Sequence, residues 1–179
     1  GDMYHSSNSN IPWRYYRKYI KTIIIDDGIT LISNFAFAEC SSLESVTIGN
    51  GIDYIGEQTF YKCTSLISIS FSNNIQIISI NAFHDCCSLS SINLPSSLTK
   101  ISNSAFENCS SLKSLILPDK LETINYEAFK DCSSLEYLSI GRNLESLFYA
   151  NIQGCISLKT IDVNENNQYL KSIDGVLFT

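Results

Sequence analysis

The cysteines are the residues of this chain best suited to chemistry, because thiols can form disulfides, bind metals or act as nucleophiles. The chain has seven, of which six recur every 23 residues without insertion: Cys40, Cys63, Cys86, Cys109, Cys132 and Cys155. A disulfide or metal framework needs no constant spacing, whereas a repeated structural unit does. The period therefore indicates that these six cysteines belong to a repeat.

Stacked repeats would place equivalent Cα atoms about 4.8 Å apart. Their parallel Cβ vectors would hold the Cβ atoms equally far apart, although a disulfide needs about 3.8 Å. We therefore expect the six periodic cysteines to be buried free thiols. Cys87 falls in a column of Ser and Thr, which predicts a partly exposed thiol near a turn. With no C-x-x-C pair and no histidine in phase, the sequence predicts neither a metal nor a cofactor.

Histidine is the other residue that could support catalysis. His84 stands beside Asp85, and the chain is rich in serine, so a Ser-His-Asp triad can be imagined. Every repeat carries equivalent serines without a histidine, however, and turns account for them. We therefore predict that the chain is not an enzyme and has no catalytic residue.

The elements that must position these side chains repeat with the same period. We call the equivalent positions of successive repeats a column. One column is aromatic except for its last residue, which is aliphatic: Phe37, Phe60, Phe83, Phe106, Phe129 and Ile152. A leucine column runs beside it: Leu43, Leu66, Leu89, Leu112, Leu135 and Leu158. A fixed period of about 20 to 29 residues built on Leu predicts a leucine-rich-repeat solenoid. We predict an α/β fold of about seven coils of 23 residues, with a parallel sheet on one face and short helical turns on the other.

One unit, residues 101–123, illustrates the two halves. Ile101, Ala105, Phe106 and Cys109 have the spacing of one face of a short helix, and Leu115 and Leu117 alternate as in a strand. The period predicts six strands, at 43–48, 66–71, 89–94, 112–117, 135–140 and 158–163. A seventh precedes them at about residues 20–25, so the strands should form one continuous sheet.

The ends of the chain depart from the repeat, so we divide the chain into four segments. We interpret residues 1–12 as a flexible tail, 13–31 as an N-terminal cap with the first strand, 32–163 as six repeats and 164–179 as a C-terminal cap or the start of another segment. Asn151, Ile152 and Asn167 break the columns near the C-terminal end, as terminal repeats often do.

Charge is unevenly distributed. The net charge is -6, yet residues 1–21 carry +3, so the remainder carries -9. The basic, aromatic run at 13–21 could bind nucleic acid, but beside an acidic body we favour a cap whose amphipathic side chains cover the first coil. No apolar run is long enough for a membrane span, and the first ten residues lack the pattern of a secretory signal.

The outward positions of the predicted strands are mostly Ser and Thr. Ile116 and Tyr137 stand out, since they place an aliphatic and an aromatic side chain at diagonal positions of adjacent strands. We predict a partner-binding patch at Tyr137, Ile116, Asn93 and Asp162. The alternative is that these are scattered surface residues without a role.

The repeat resembles that of the BspA-like, or Treponema pallidum type, leucine-rich-repeat proteins. Their unit, IGxxAFxxCxxLxxIxIPxxVxx, is similar to IGEQTFYKCTSLISISFSNNIQI and to ISNSAFENCSSLKSLILPDKLET. Residues 163–178 are similar to the segment that follows a repeat block in this family. The resemblance implies a cell-surface or secreted protein of a bacterium or protist, used for attachment to host proteins or other cells.

These observations predict a non-catalytic adhesion module. It would be a monomer that binds a host extracellular-matrix protein, a cell-surface protein or a glycan through its strands, and it would not bind nucleic acid. The alternative function is a structural spacer without a ligand of its own.

Overall fold

The computed structural model describes residues 11–178. Its main feature is a stack of coils whose strands lie in register one repeat apart. Val46 pairs with Ile23 on one side and with Ile69 on the other. The predicted parallel-sheet solenoid with a 23-residue repeat is confirmed.

The sheet predicted from the leucine columns has two three-stranded parts. The N-terminal part contains β1 (Thr22–Ile25), β2 (Ser45–Ile48) and β4 (Ser68–Ser70). The C-terminal part contains β7 (Ser114–Ile116), β9 (Tyr137–Ile140) and β10 (Thr160–Val163). We call the outward side of these strands the strand face.

The predicted continuity of this sheet is wrong at residues 89–94, which do not form a strand. Within the described chain, no backbone hydrogen bond joins 89–94 to β4, and one long bond, from Lys113 N–H to the Ser90 carbonyl (3.4 Å), joins them to the next coil. The interruption lies beside Phe71, the one aromatic residue in a column of aliphatic ones. Its ring meets Phe83 edge-on, with centroids 6.0 Å apart, and needs more room than Leu or Ile.

A second parallel sheet holds the coils together along another side of the solenoid, which the sequence analysis did not predict. Its strands are β3 (Tyr54–Ile55), β5 (Ile77–Ile78), β6 (Lys100–Ile101) and β8 (Thr123–Ile124). The second residue of each strand is a buried isoleucine. Because β5 pairs with β6, this sheet continues through the coils at which the first sheet is interrupted.

The helices predicted between Ile101 and Cys109, and in equivalent units, are reverse turns. Ser104 and Asn108 have φ of 51° and 58°, in the left-handed region that an α-helix excludes. Equivalent residues in four other coils also have positive φ. The turns are stabilised between coils, since Phe106 N–H donates to the Ala128 carbonyl at 2.8 Å and Asn108 N–H to that of Lys130 at 2.8 Å. One helical turn does form, in the irregular last repeat, as α1 (Tyr149–Ile152).

The core consists of stacked side-chain columns. The phenylalanine rings stack along the solenoid, with centroids of Phe83 and Phe106 5.1 Å apart and those of Phe106 and Phe129 5.5 Å apart. Trp13 continues the column at its N-terminal end, since its ring stacks on Phe37 at 5.3 Å and its indole N–H donates to the Ala36 carbonyl at 2.8 Å. The adjoining 3-10 helix, Arg14–Tyr19, buries none of its residues.

A hairpin follows the last coil. Strands β11 (Lys171–Ile173) and β12 (Val176–Phe178) pair antiparallel, and Ile161 N–H of β10 donates to the Gly175 carbonyl at 3.2 Å. Buried Asn167 ties the connecting segment to the coil below through hydrogen bonds from its side-chain amide to the carbonyls of Gly141 (2.8 Å) and Leu144 (3.1 Å).

The predicted division of the chain into residues 1–12, 13–31, 32–163 and 164–179 stays a prediction. Residues 1–10 and 179 lie outside the part of the chain that the structure describes.

Candidate partner-binding surface

Strand alternation sets which side chains reach the strand face. Leu115 and Leu138 point into the core, whereas Ile116 is 65% exposed. Ser114 is the register partner of Tyr137, and Ile116 that of Ser139, so Ile116 and Tyr137 lie diagonally on adjacent strands, as predicted. Tyr137 is partly exposed.

Tyr137 is held in place by the next strand. Its phenol O–H donates to Asp162 Oδ2 at 2.9 Å. This hydrogen bond to a carboxylate raises the pKa of Tyr137, because it stabilises the protonated phenol. Asp162 is the register partner of Ser139, so three neighbouring strands each contribute a side chain to the same area.

Ile116, Tyr137 and Asp162 line one open groove of about 690 Å³, together with residues of the loops that follow the strands. The structure therefore brings together three of the four predicted residues. Asn93 is exposed in the interrupted segment and does not line this groove. We call this feature the strand-face groove, defined by Ile116, Tyr137 and Asp162.

The loop residues of the strand-face groove were missed by the sequence analysis. Asp119 and Lys120 follow β7, and Asn164 follows β10. Asp119 accepts a bond from Arg142 Nε at 3.2 Å and one from Asn164 Nδ2 at 3.4 Å. The signal that could have found them is the occurrence of charged and amide side chains in the loops shortly after these strands.

The cysteine column is buried over five coils, as predicted, and its thiols are free. Cys155 is the exception, since it is only half-buried in the last coil, where Ile152 replaces the phenylalanine. Burial raises the pKa of Cys40 to about 11. The pKa of Cys155 is instead lowered by its interaction with the Cys132 side chain of the preceding coil. Cys87 is partly exposed, in line with its Ser-like column.

His84 lies in an ionic cluster on the turns. Its Nε2 is 3.4 Å from Asp85 Oδ2 and its Nδ1 is 3.5 Å from Glu107 Oε2, so both ring nitrogens face carboxylates. Lys130 bridges Glu107 at 3.2 Å and Glu127 at 3.0 Å, and these contacts raise the pKa of Lys130. The cluster links three successive coils and gives His84 a structural setting.

Within residues 11–178, no three His, Cys, Asp or Glu side chains are arranged so that together they could hold a metal ion. Nor does this part of the chain contain a helix long and apolar enough to cross a membrane.

Comparison with known proteins decides the family. The model of the BspA type leucine rich repeat region matches six copies over residues 10–132 and 53–173, which is most of the chain. The chain belongs to the BspA-type leucine-rich-repeat family. Members of this repeat family are generally non-catalytic binding modules. No curated protein matches the chain.

Solved structures of leucine-rich-repeat and related proteins agree with the fold. A leucine-rich repeat protein of Treponema pallidum is 27% identical with a TM-score of 0.74, over 79% of this chain and 69% of that one. A leucine-rich cell surface protein of Faecalibacterium prausnitzii is 28% identical with a TM-score of 0.80, over 92% of this chain and 44% of that one. A Bacteroides ovatus leucine-rich repeat protein is 29% identical with a TM-score of 0.72, over 78% of this chain and 39% of that one. The chain thus spans less than half of the last two proteins.

Proposed function

We propose that this BspA-type chain is a non-catalytic adhesion module that binds a host or neighbouring-cell protein through the strand-face groove. The observation that carries the proposal is the position of Ile116. This aliphatic side chain is 65% exposed beside Tyr137, and the register partners of these two residues, Ser139 and Ser114, are small and polar.

The groove has the composition of a protein-binding site. An exposed aliphatic side chain and an aromatic ring at the centre supply the apolar area that dominates binding energy. Asp119, Lys120 and Asp162 place charges of both signs around them, which favours a partner with a complementary polar rim. The Tyr137–Asp162 hydrogen bond orients the ring before a partner arrives, so less conformational entropy is lost on binding.

A location at the cell surface, or secretion, is part of the same proposal. The Faecalibacterium prausnitzii relative is described as a cell surface protein. Adhesion requires a partner outside the cell, so extracellular-matrix and cell-surface proteins are the class that we propose. We also propose that the module acts as a monomer.

The test is a capture experiment in which extracellular host proteins are exposed to the wild-type chain and to a Tyr137→Ser/Ile116→Ser variant. Serine occurs at equivalent positions of other coils, so the fold should be retained. We expect the variant to lose about 2 kcal/mol or more of binding free energy for a captured partner. Melting temperature should change little.

Ile24→Ser is the matched control, because Ile24 is 70% exposed on β1, far along the strand face from the groove. It should leave binding unchanged. If both variants bind equally well, the strand-face groove is not the site. If the chain captures no partner and tolerates all such changes, the spacer function is favoured instead.

A further inference from the structure

The irregular last repeat and the coil before it expose aromatic side chains on a different side of the solenoid. Phe148 is 65% exposed and Tyr126 is 61% exposed. Positions equivalent to Phe148 in earlier coils hold Ser33, Gly56, Ser79, Ser102 and Asn125. An exposed phenylalanine in a column of small or polar residues adds nothing to the core, and such side chains often mark binding sites.

Phe148 and Tyr126 line a shallow groove of about 510 Å³ beside β8. Apart from the buried Asn151, its polar lining residues are Asn103, Thr123, Asn125 and Ser146. We call it the aromatic groove, defined by these six residues. It shares no lining residue with the strand-face groove, so the two surfaces are distinct.

Phe148 is held in place by the residue that breaks the alanine column. Asn151 is 1% exposed, and its Oδ1 accepts a hydrogen bond from Phe148 N–H at 2.8 Å. Its Nδ2 donates to the Asn125 carbonyl at 2.6 Å, which ties this turn to the coil below. The position of Phe148 next to β8 is therefore fixed by a buried polar side chain.

The polar side chains of the aromatic groove are available to a ligand. Within the described residues, the side chains of Asn103, Thr123, Asn125 and Ser146 make no hydrogen bond. Each amide offers two donors and an acceptor, and each hydroxyl can donate and accept. A ligand with many closely spaced, uncharged hydrogen-bond donors and acceptors would match these side chains.

Charge narrows the class of ligand. No Asp, Glu, Lys or Arg lines the aromatic groove, although the strand-face groove contains Asp119, Lys120 and Asp162. The chain as a whole has a net charge of -6, which opposes acidic ligands. An uncharged ligand with apolar faces for the two rings and hydroxyls for the amides fits this lining.

We infer that the aromatic groove binds a neutral oligosaccharide. The apolar face of a sugar ring packs on Phe148 or Tyr126, and its hydroxyls exchange hydrogen bonds with Asn103, Asn125 and Thr123. This site does not depend on the protein-binding function proposed for the strand face.

The test begins with an array of neutral oligosaccharides of glucose, galactose, mannose and N-acetylglucosamine, with heparin and sialylated glycans as acidic counterparts. We expect binding to a neutral glycan and none to the acidic ones. Titration calorimetry with the best neutral glycan then compares wild type with Phe148→Ser/Tyr126→Asn. Both replacements occur at equivalent positions of other coils, and the double change should weaken binding about tenfold or more.

Two further variants make the test specific. Thr123→Val removes one hydroxyl with little change in shape and should weaken binding several-fold. Tyr137→Ser/Ile116→Ser changes the strand face and should leave glycan affinity unchanged. Absence of any neutral hit, preference for acidic glycans or full affinity of Phe148→Ser/Tyr126→Asn would each overturn the inference. So would concentration-dependent self-association that the double change abolishes without any glycan binding, because a second copy would then occupy the groove.

Discussion

The thiol of Cys109 donates a hydrogen bond to the carbonyl oxygen of Phe83, 3.3 Å away in the preceding coil. The equivalent bond joins Cys86 to Phe60 at 3.2 Å and Cys132 to Phe106 at 3.3 Å. The cysteine column thus does more than fill volume, since each thiol satisfies a carbonyl group in the turn of its neighbour. Burial raises the pKa of Cys109, which keeps this thiol protonated as a donor.

Thiol reactivity should follow this arrangement. On labelling of the native chain with N-ethylmaleimide, followed by mass spectrometry, we expect Cys87 and Cys155 to react first. Both are partly exposed, and the thiolate form of Cys155 is favoured by its lowered pKa. The other five thiols should react only after denaturation. Modification of Cys109 as fast as Cys87, or a disulfide between periodic cysteines, would contradict this prediction.

Phe106→Ala should destabilise the chain strongly. The ring is fully buried between Phe83 and Phe129, so its removal leaves a cavity in the column and should cost about 3 to 5 kcal/mol. Because coils stabilise one another by stacking, the neighbouring coils should be affected as well. Chemical denaturation measures the loss. Phe148→Ser is the control, since that ring is exposed, and it should cost less than about 1 kcal/mol.

The columns of the core could be predicted because each coil packs against neighbours built on the same columns. If the side chains of Phe106 and Cys109 point into the core, then so do those of residues that lie a multiple of 23 positions away. The same spacing gives the register between adjacent strands. Alternation along the strand likewise placed Ile116 on the surface. The core therefore follows from the period, and the three residues of the strand-face groove follow from the period together with strand alternation.

The turns and the second sheet could not be predicted in this way. Spacing places Ala105 and Phe106 on one side of a helix or of a turn equally well, and Ser104 and Asn108 are not the glycines that usually mark positive φ. Their conformation is stabilised by hydrogen bonds to the next coil, which local sequence does not reveal. The aromatic groove was missed for a related reason, because it requires one coil to depart from the repeat.

Hydrogen exchange can test whether the size of the Phe71 side chain interrupts the first sheet. In wild-type protein, the amide hydrogens of residues 90–93 should exchange faster than those of β2 and β9, because 89–94 lack strand pairing. Phe71→Leu places in the column the residue that occupies it at Leu94 and Leu117. We expect this change to slow exchange at 90–93 by allowing the coil to approach β4. Unchanged protection would show that Phe71 does not cause the interruption.

A substitution at Asn151 tests whether the hydrogen bonds of this side chain stabilise the last repeat. Asn151→Ala restores the residue found at Ala36, Ala82, Ala105 and Ala128, so a simple repeat would tolerate it or gain stability. We expect the opposite, a loss of about 1 to 3 kcal/mol, because Phe148 N–H and the Asn125 carbonyl lose their partner. Thr59→Ala is the matched control in the same column. Its hydroxyl bonds only within its own turn, to the Gly56 carbonyl at 2.9 Å, so this change should cost less. Thermal denaturation compares the two variants, and an Asn151→Ala protein as stable as wild type would mean that Asn151 does not hold the last repeat in place.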